Sequence, residues 1–373
     1  MNYFLIAGEA SGDLHAASLI HQIKERDPQA RFAALGGNQM QAAGCFLYRH
    51  YKHMAFMGFV AVLKNTKSVL ENFRIARAAL LKEQPDALIL IDYPSFNLKM
   101  ASFCRKHLPN TKIYYYIPPK VWAWKSWRVH KIARLCDRIL GIFPFESAFY
   151  ARYGYQCTYV GNPTQADIAH YLQKEIEQHL AKTKTIVLLP GSRASEVSHC
   201  LDRMLNAARR FPDYQIVVCG APGLDDEFYS TYLLEQEQLT RDTYSAVRKA
   251  SVAIVNSGTA TLETALLGCP QVAVYHLACP HLLGMMRGLI MRLFSIPYFT
   301  PVNIIAGKEV IRECMVENFT VEKVAAEVQR LLTDTNYTKN MLADYEHISQ
   351  VLTPPDGLSA AEVIVSDLHQ ARN

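Results

Sequence analysis

Short apolar, β-branched or aromatic runs alternate with longer stretches of helical periodicity through most of this chain, and the alternation occurs twice. In the first half, residues 3–7, 32–35, 87–91, 113–117 and 138–142 read as strands, with helices at 14–24, 60–81 and 96–108. Parallel neighbours need a crossover, and a right-handed helical crossover lays helices on both faces of the sheet. A Rossmann-like first half is predicted.

Gly and Pro break both periods at Val160-Gly161-Asn162-Pro163, and a polar, helix-like stretch reaches Lys184. Strands then resume at 185–189, 215–219, 252–255 and 271–274, with helices at 195–210 and 259–267. The expected fold class is α/β: two Rossmann-like parallel-sheet domains, residues 1–163 and 164–340, facing a cleft. From 321 onward only helical stretches appear, divided at Pro354-Pro355, and residues 341–373 are expected to pack back on the first domain. A length of 373 residues agrees with two domains at roughly 150 residues each.

Composition narrows the function classes. Half of the residues are hydrophobic and a fifth charged, which excludes wholesale disorder and collagen-like chains. The net charge of +5 falls well short of a dedicated nucleic-acid binder, yet suits a phosphorylated substrate or an anionic membrane surface. Nine scattered cysteines, with no C-x-x-C pair and no zinc spacing, read as reduced, mostly buried thiols of a cytoplasmic protein. Neither a secretory signal nor a bilayer-spanning run is expected.

Candidate chemistry collects where strands run into helices, because α/β proteins place ligands at the carboxyl ends of parallel strands. Residues 3–7 run into Gly8-Glu9-Ala10-Ser11-Gly12-Asp13, which lacks dinucleotide spacing; Ser11 or Asp13 could cap the helix, but Glu9 has no such need. Asp92 ends the very apolar strand 87–91 and delivers a carboxylate to the same edge, unless it merely caps the next helix. In the second half, Gly191-Ser192-Arg193 and Ser257-Gly258-Thr259 each precede a helix, where amides and a guanidinium could converge on phosphate. Glu263, one turn into the second helix, could accept hydrogen bonds from a ribose diol. The plainer alternative is two ordinary turns with Ser and Thr as caps.

Trp122 and Trp124, flanked by Lys125, Arg128 and Lys131, suit either a sugar or acyl wall or core packing. Residues 281–295 are rich in Leu and Met, interrupted by Arg287 and Arg292; they suit an interfacial helix with snorkelling arginines or a buried one. Residues 54–81 form a second basic, apolar candidate surface.

In this order, the motifs resemble those of the lipid-A-disaccharide synthases, inverting glycosyltransferases with the two-domain GT-B fold. The resemblance rests on Ala7-Gly8-Glu9-Ala10-Ser11-Gly12-Asp13, Ile91-Asp92-Tyr93-Pro94 with Phe96-Asn97, Val121-Trp122-Ala123-Trp124, Leu189-Pro190-Gly191-Ser192-Arg193 with Glu196, residues 257–263, and Asn303-Ile304-Ile305-Ala306-Gly307. It implies transfer of 2,3-diacylglucosamine from its UDP derivative to 2,3-diacylglucosamine 1-phosphate, giving a β-1,6-linked disaccharide 1-phosphate and UDP. It further implies that Asp92 is an essential aspartate, that Glu9 and Ser11 serve the acceptor side, that Arg193 and Glu263 contact UDP, and that Asn303 lies near the donor. Ser95 stands where many relatives carry a second aspartate, and Asn162 where many carry histidine.

On this reading Asp92 deprotonates the acceptor's 6-hydroxyl, and no cofactor or metal is expected, since no D-x-D motif is present. Acylated substrates imply peripheral docking on the inner face of the cytoplasmic membrane. A helical tail that can pack or swap between subunits leaves room for a homodimer. The rivals on the same plan are a UDP-sugar 2-epimerase, which needs no acceptor, and a non-catalytic nucleotide-sugar sensor.

Overall fold

The structure is a computed structural model that describes residues 1–54, 66–122, 126–175, 182–276, 298–354 and 357–372. The chain divides into two compact units: Met1–Pro163 with Thr353–Asn373, and Thr164–Leu352.

The first unit is built on β1 (Asn2–Ala7), β2 (Arg31–Gly36), β3 (Phe46–His50), β4 (Ala87–Ile91), β5 (Lys112–Tyr116), β6 (Arg138–Gly141) and β7 (Thr158–Tyr159). They form one parallel sheet in the order β3-β2-β1-β4-β5-β6-β7. Successive strand residues point to opposite faces. Leu5, Ala7, Ile89, Ile91 and Tyr114 therefore join one core layer with helices Ala10–Arg26 and Ala360–Arg372, while Phe4, Ile6, Leu88, Leu90 and Tyr115 join another with Thr66–Glu83 and Pro94–His107. Covering both faces is what makes strands such as β4 apolar at every position.

The second unit repeats the plan with β8 (Thr185–Leu189), β9 (Gln215–Cys219), β10 (Gln238–Thr240), β11 (Val252–Asn256), β12 (Gln271–Tyr275) and β13 (Glu313–Met315). The order is β10-β9-β8-β11-β12-β13, again parallel throughout. Val187, Leu189, Ala253 and Val255 pack with Ile168, Val247 and Leu267.

Two expectations change. The tail that joins the first unit begins at Thr353, later than the expected 341. Helix Thr335–Val351 stays with the second unit because it buries Met341, Tyr345 and Ile348 there, and Gln271 Nε2 donates to Tyr345 Oη at 3.3 Å. Helix Ala360–Arg372 is the part held by the first unit: Asp367 accepts from Tyr114 Oη at 2.8 Å and from Arg138 Nη2 at 2.8 Å. Second, four strands were not expected from the sequence, and all four lie at sheet edges: β3, β7, β10 and β13. Short, half-buried edge strands need no continuous apolar signal.

The segment 281–295, with Arg287 and Arg292, lies outside the described residues, as do Trp124 and residues 55–65. Among the described residues no helix is long and apolar enough to cross a membrane. The cysteines among them are buried and unbridged.

Candidate active site

In the first sheet the chain leaves β1 toward β2 on one side and later returns through β4 on the other, so the β1–β4 boundary is its topological switch point. Ligands of open α/β sheets bind outside the carboxyl ends of the strands at such a boundary. Ala7 pairs with Ile91 in register, so Gly8-Glu9 and Asp92-Tyr93 leave the sheet side by side. Glu9, half-buried, takes the N-cap position of helix Ala10–Arg26 without a side-chain capping bond; Ser11 and Asp92 are exposed.

The turn after β4 is strained. Asp92 has φ +42° and Tyr93 φ +47°, while Ile117, just past β5, has φ +61°. Left-handed conformations of residues other than glycine cost about 1–3 kcal/mol each and persist only where the surroundings over-determine them. Here they do. Asp92 N donates to Ile117 O at 3.1 Å, and Asp92 O accepts from Asn97 Nδ2 at 2.7 Å and Tyr115 Oη at 2.8 Å. Tyr93 Oη donates to Met54 O at 2.7 Å, and its ring lies against Gly8, where a Cβ would stand 2.3 Å from Tyr93 Cγ. Burial first, and then the Asp92 charge, hold the Tyr115 hydroxyl well above its ordinary pKa, so it remains a donor. Asp92 is not a helix cap, since Tyr93 occupies that position for Pro94–His107.

Asp13 has a different task from capping its own helix. It is buried, and its carboxylate accepts from Gly37 N at 2.7 Å, Gln39 N at 3.0 Å and Met40 N at 3.2 Å. It caps the short helix Asn38–Ala42 and ties the loop after β2 to the helix after β1.

The switch point of the second sheet lies between β8 and β11, where Leu189 pairs with Val255. Gly191 has φ +126°, and a Cβ there would stand 2.7 Å from Glu196 Oε2 and 2.9 Å from Asn256 Nδ2. Only glycine suits both conditions. Arg193 occupies the N-cap of helix Ala194–Ala208 with no side-chain capping bond. Ser192 N donates to Glu196 Oε2 at 2.9 Å and Arg193 Nη1 to Glu196 Oε1 at 3.2 Å, so a carboxylate is the anion these donors meet here.

Helix Thr259–Leu266 likewise starts from Gly258 without a side-chain cap, which removes the plain reading of Ser and Thr as caps. Ser257 N belongs to the sheet, donating to Val274 O at 2.7 Å. Glu263 is half-buried; burial, and then the nearby Asp167, push its carboxyl up to about 7. It can therefore change charge near neutral pH.

Two sequence candidates have their side chains engaged within the fold. Asn303 is fully buried and saturated: Oδ1 accepts from Val310 N at 2.8 Å and Ile311 N at 3.0 Å, while Nδ2 donates to Ile311 O at 2.9 Å and Glu313 Oε1 at 3.0 Å. Both donors and both acceptor sites are engaged, which ties helix Pro301–Ala306 to the loop before β13, and that helix packs against Thr259–Leu266. Trp122 is buried against Phe143 and Phe145, and its Nε1 donates to Glu146 Oε1 at 3.2 Å, so the core-packing reading describes it. Trp124 is outside the described residues. Glu146 was missed by the sequence reading; its signal was an acid following the Phe143-Pro144-Phe145 turn just past a strand.

The family profile described as Lipid-A-disaccharide synthetase matches residues 3–364. The lipid-A-disaccharide synthase of Trichlorobacter lovleyi is 37% identical over 361 residues, covering 93% of this chain and 92% of that protein. That of Syntrophus aciditrophicus is 35% identical over 378 residues, covering 98% and 97%. Among solved structures, a UDP-GlcNAc 2-epimerase from Neisseria meningitidis bound to UDP-GlcNAc superposes with a TM-score of 0.65 at 10% identity, covering 99% of this chain and 100% of that one. A spinosyn forosaminyltransferase gives 0.58 at 13% identity, covering 100% of both chains. These two share only the fold, the two-domain GT-B plan of such glycosyltransferases and epimerases. The ordered motifs and the profile spanning both units go further: this chain belongs to the lipid-A-disaccharide synthetase family of enzymes.

Proposed function

We propose that the chain transfers 2,3-diacylglucosamine from its UDP derivative to the 6-hydroxyl of 2,3-diacylglucosamine 1-phosphate, releasing UDP and a β-1,6-linked disaccharide 1-phosphate. The observation that carries the mechanism is the exposed Asp92 carboxylate on an over-determined, strained turn at the first switch point. Asp92 removes the hydroxyl proton as the oxygen attacks C1 of the donor, in one displacement that inverts that carbon. General-base help of this kind is worth about 10² to 10⁴ in rate. Glu9, beside Asp92 at the strand ends, and Ser11 orient the acceptor.

The departing UDP gains negative charge. Arg193 and the amides at the starts of helices Ala194–Ala208 and Thr259–Leu266 answer that charge, with Glu196 giving up its hold on Ser192 and Arg193 as the diphosphate arrives. Glu263 accepts from the ribose. The sequence offers no D-x-D motif for a divalent ion, and the reaction is proposed to run without one. Acyl chains keep both sugars at a bilayer, so the protein works peripherally on the inner face of the cytoplasmic membrane.

The test is incubation of the purified chain with both acyl sugars in detergent micelles plus EDTA, with mass detection of disaccharide and UDP. Product requiring both substrates supports the proposal. Conversion of the UDP-sugar without acceptor points to an epimerase, UDP-sugar binding without turnover points to a sensor, and loss of product with EDTA removes the metal-free step.

A further inference from the structure

Glu146 is 1% exposed and makes no ion pair among the described residues. It sits in the first turn of helix Pro144–Ala151, just beyond β6. Oε2 accepts from Ile142 N at 2.8 Å and Phe143 N at 3.0 Å, and Oε1 accepts from Trp122 Nε1 at 3.2 Å. A glutamine could cap the two amides equally well. What a carboxylate adds is a second acceptor oxygen for the indole, which can only donate.

The two ends of this clamp lie on either side of Ile117. Trp122 closes the segment Ile117-Pro118-Pro119-Lys120-Val121-Trp122 that follows β5, and Ile142 and Phe143 follow β6. Ile117 is suspended between the same elements and β4: its N donates to Leu140 O at 3.3 Å, and its O accepts from Asp92 N at 3.1 Å. A β-branched residue at φ +61° does not hold that conformation unaided.

We propose that Glu146 is a positioning residue for Asp92: by fastening Trp122 to the end of β6, it keeps Ile117 in its left-handed conformation, and Ile117 fixes the backbone from which the Asp92 carboxylate projects. This rests on the reading of Asp92 as the general base.

The clamp depends on ionisation. Protonating Glu146 places a hydrogen on an oxygen that must accept, so the hold on Trp122 is present in the carboxylate and lost in the acid. Burial pushes this carboxyl up to about 7, against the pull of the two amides, Trp122 and Lys120. Lys120 faces it from the segment after β5, Tyr150 from its own helix, Cys157 from the turn before β7 and Tyr159 from β7. Burial holds Tyr150, Cys157 and Tyr159 neutral at that pH, which leaves Glu146 as the group that changes charge in this cluster. Two opposite trends follow. Turnover rises as pH climbs through about 7, while the raised folded-state pKa means that the stability due to this group is full below its unfolded value and lost over the same climb.

The experiment measures kcat and KM for transfer between the two acyl sugars from about pH 5.5 to 8.5, with UDP affinity and thermal unfolding, for the full-length chain and the variants Glu146→Gln, Trp122→Phe, Asp92→Asn and Glu263→Gln. Glu146→Gln and Trp122→Phe are expected to fold, to bind UDP as the parent does, and to lose about 10-fold to 100-fold in kcat at similar KM. The acid limb near pH 7 is expected to vanish in Glu146→Gln. Unchanged kcat and an unchanged acid limb in that variant overturn the proposal, as does an acid limb that disappears only in Glu263→Gln. Should Glu146→Gln fail to fold, Trp122→Phe decides alone: parental kcat and profile overturn the clamp. Asp92→Asn separates the two levels. Full activity there ends the general-base reading itself, whereas an inactive Asp92→Asn beside a parental Glu146→Gln ends only the clamp.

Discussion

After β1 and β4 the first unit concentrates backbone strain and side-chain hydrogen bonds on a turn that carries carboxylates, whereas after β8 and β11 the second unit uses Gly191, Gly258 and helix starts that lack side-chain caps. The topology at the two places is the same, a switch point in a parallel sheet. The finish differs with the chemistry. The proposed base has to be held in one place relative to a reacting hydroxyl, and Asn97, Tyr115 and Ile117 hold the Asp92 backbone. The proposed diphosphate site needs several donors at once, and amides at a helix start, with Arg193 beside them, offer those without any strained side-chain-bearing residue.

The sharpest way to break this comparison is to swap the chemistry of one side and read both functions. Asp92→Asn is expected to lower kcat by about 10² to 10⁴ while leaving UDP affinity unchanged. Next in size is Asn303→Ala, which strands two buried amides and a carbonyl and removes one of the donors to Glu313; it should cost about 3 kcal/mol of stability in thermal or denaturant unfolding. UDP affinity of the folded fraction should be unchanged, and a lost affinity without lost stability would place Asn303 at the donor site. Arg193→Ala should weaken UDP binding by about 10-fold to 100-fold, measured calorimetrically, at full stability.

Gly8→Ala sharpens the strain argument. A Cβ there displaces the Tyr93 ring, and about a 10-fold loss in kcat is expected with about 1–3 kcal/mol of destabilisation. The smallest effect belongs to Glu263. Its carboxyl is raised to about 7, so as pH rises through that value it gains the charge that accepts from ribose hydroxyls, and UDP affinity should climb by up to about tenfold. The same raised value means that stability is lost over that range; Glu263→Gln should flatten both trends.

The central strands were readable because burial on both faces writes an unbroken apolar run: β4, β8 and β9 start and stop where their sequence runs do. The edges were silent for the converse reason. Turns could be located from strand ends alone, which is how Glu9, Asp92, Gly191 and Gly258 were assigned to the ends of strands that the structure sets at the two switch points. Their hydrogen-bond partners could not be, since Asp13 answers Gly37 and Trp122 answers Glu146 across 24 residues of chain in each case. The strain at Asp92-Tyr93 was hidden further, because a residue before proline ordinarily favours extended backbone, yet Tyr93 precedes Pro94 and is left-handed. Asn303 was placed by resemblance to a family motif, and its four hydrogen bonds with residues 310–313 could not be read from the sequence.

One measurement tests the division of labour most directly: transfer and UDP affinity measured side by side on Asp92→Asn and Arg193→Ala, with both acyl sugars in micelles plus EDTA. The account predicts an Asp92→Asn protein that binds UDP as the parent does and forms almost no disaccharide, and an Arg193→Ala protein whose main defect is in UDP binding. Disaccharide formation at the parental rate by Asp92→Asn would contradict it.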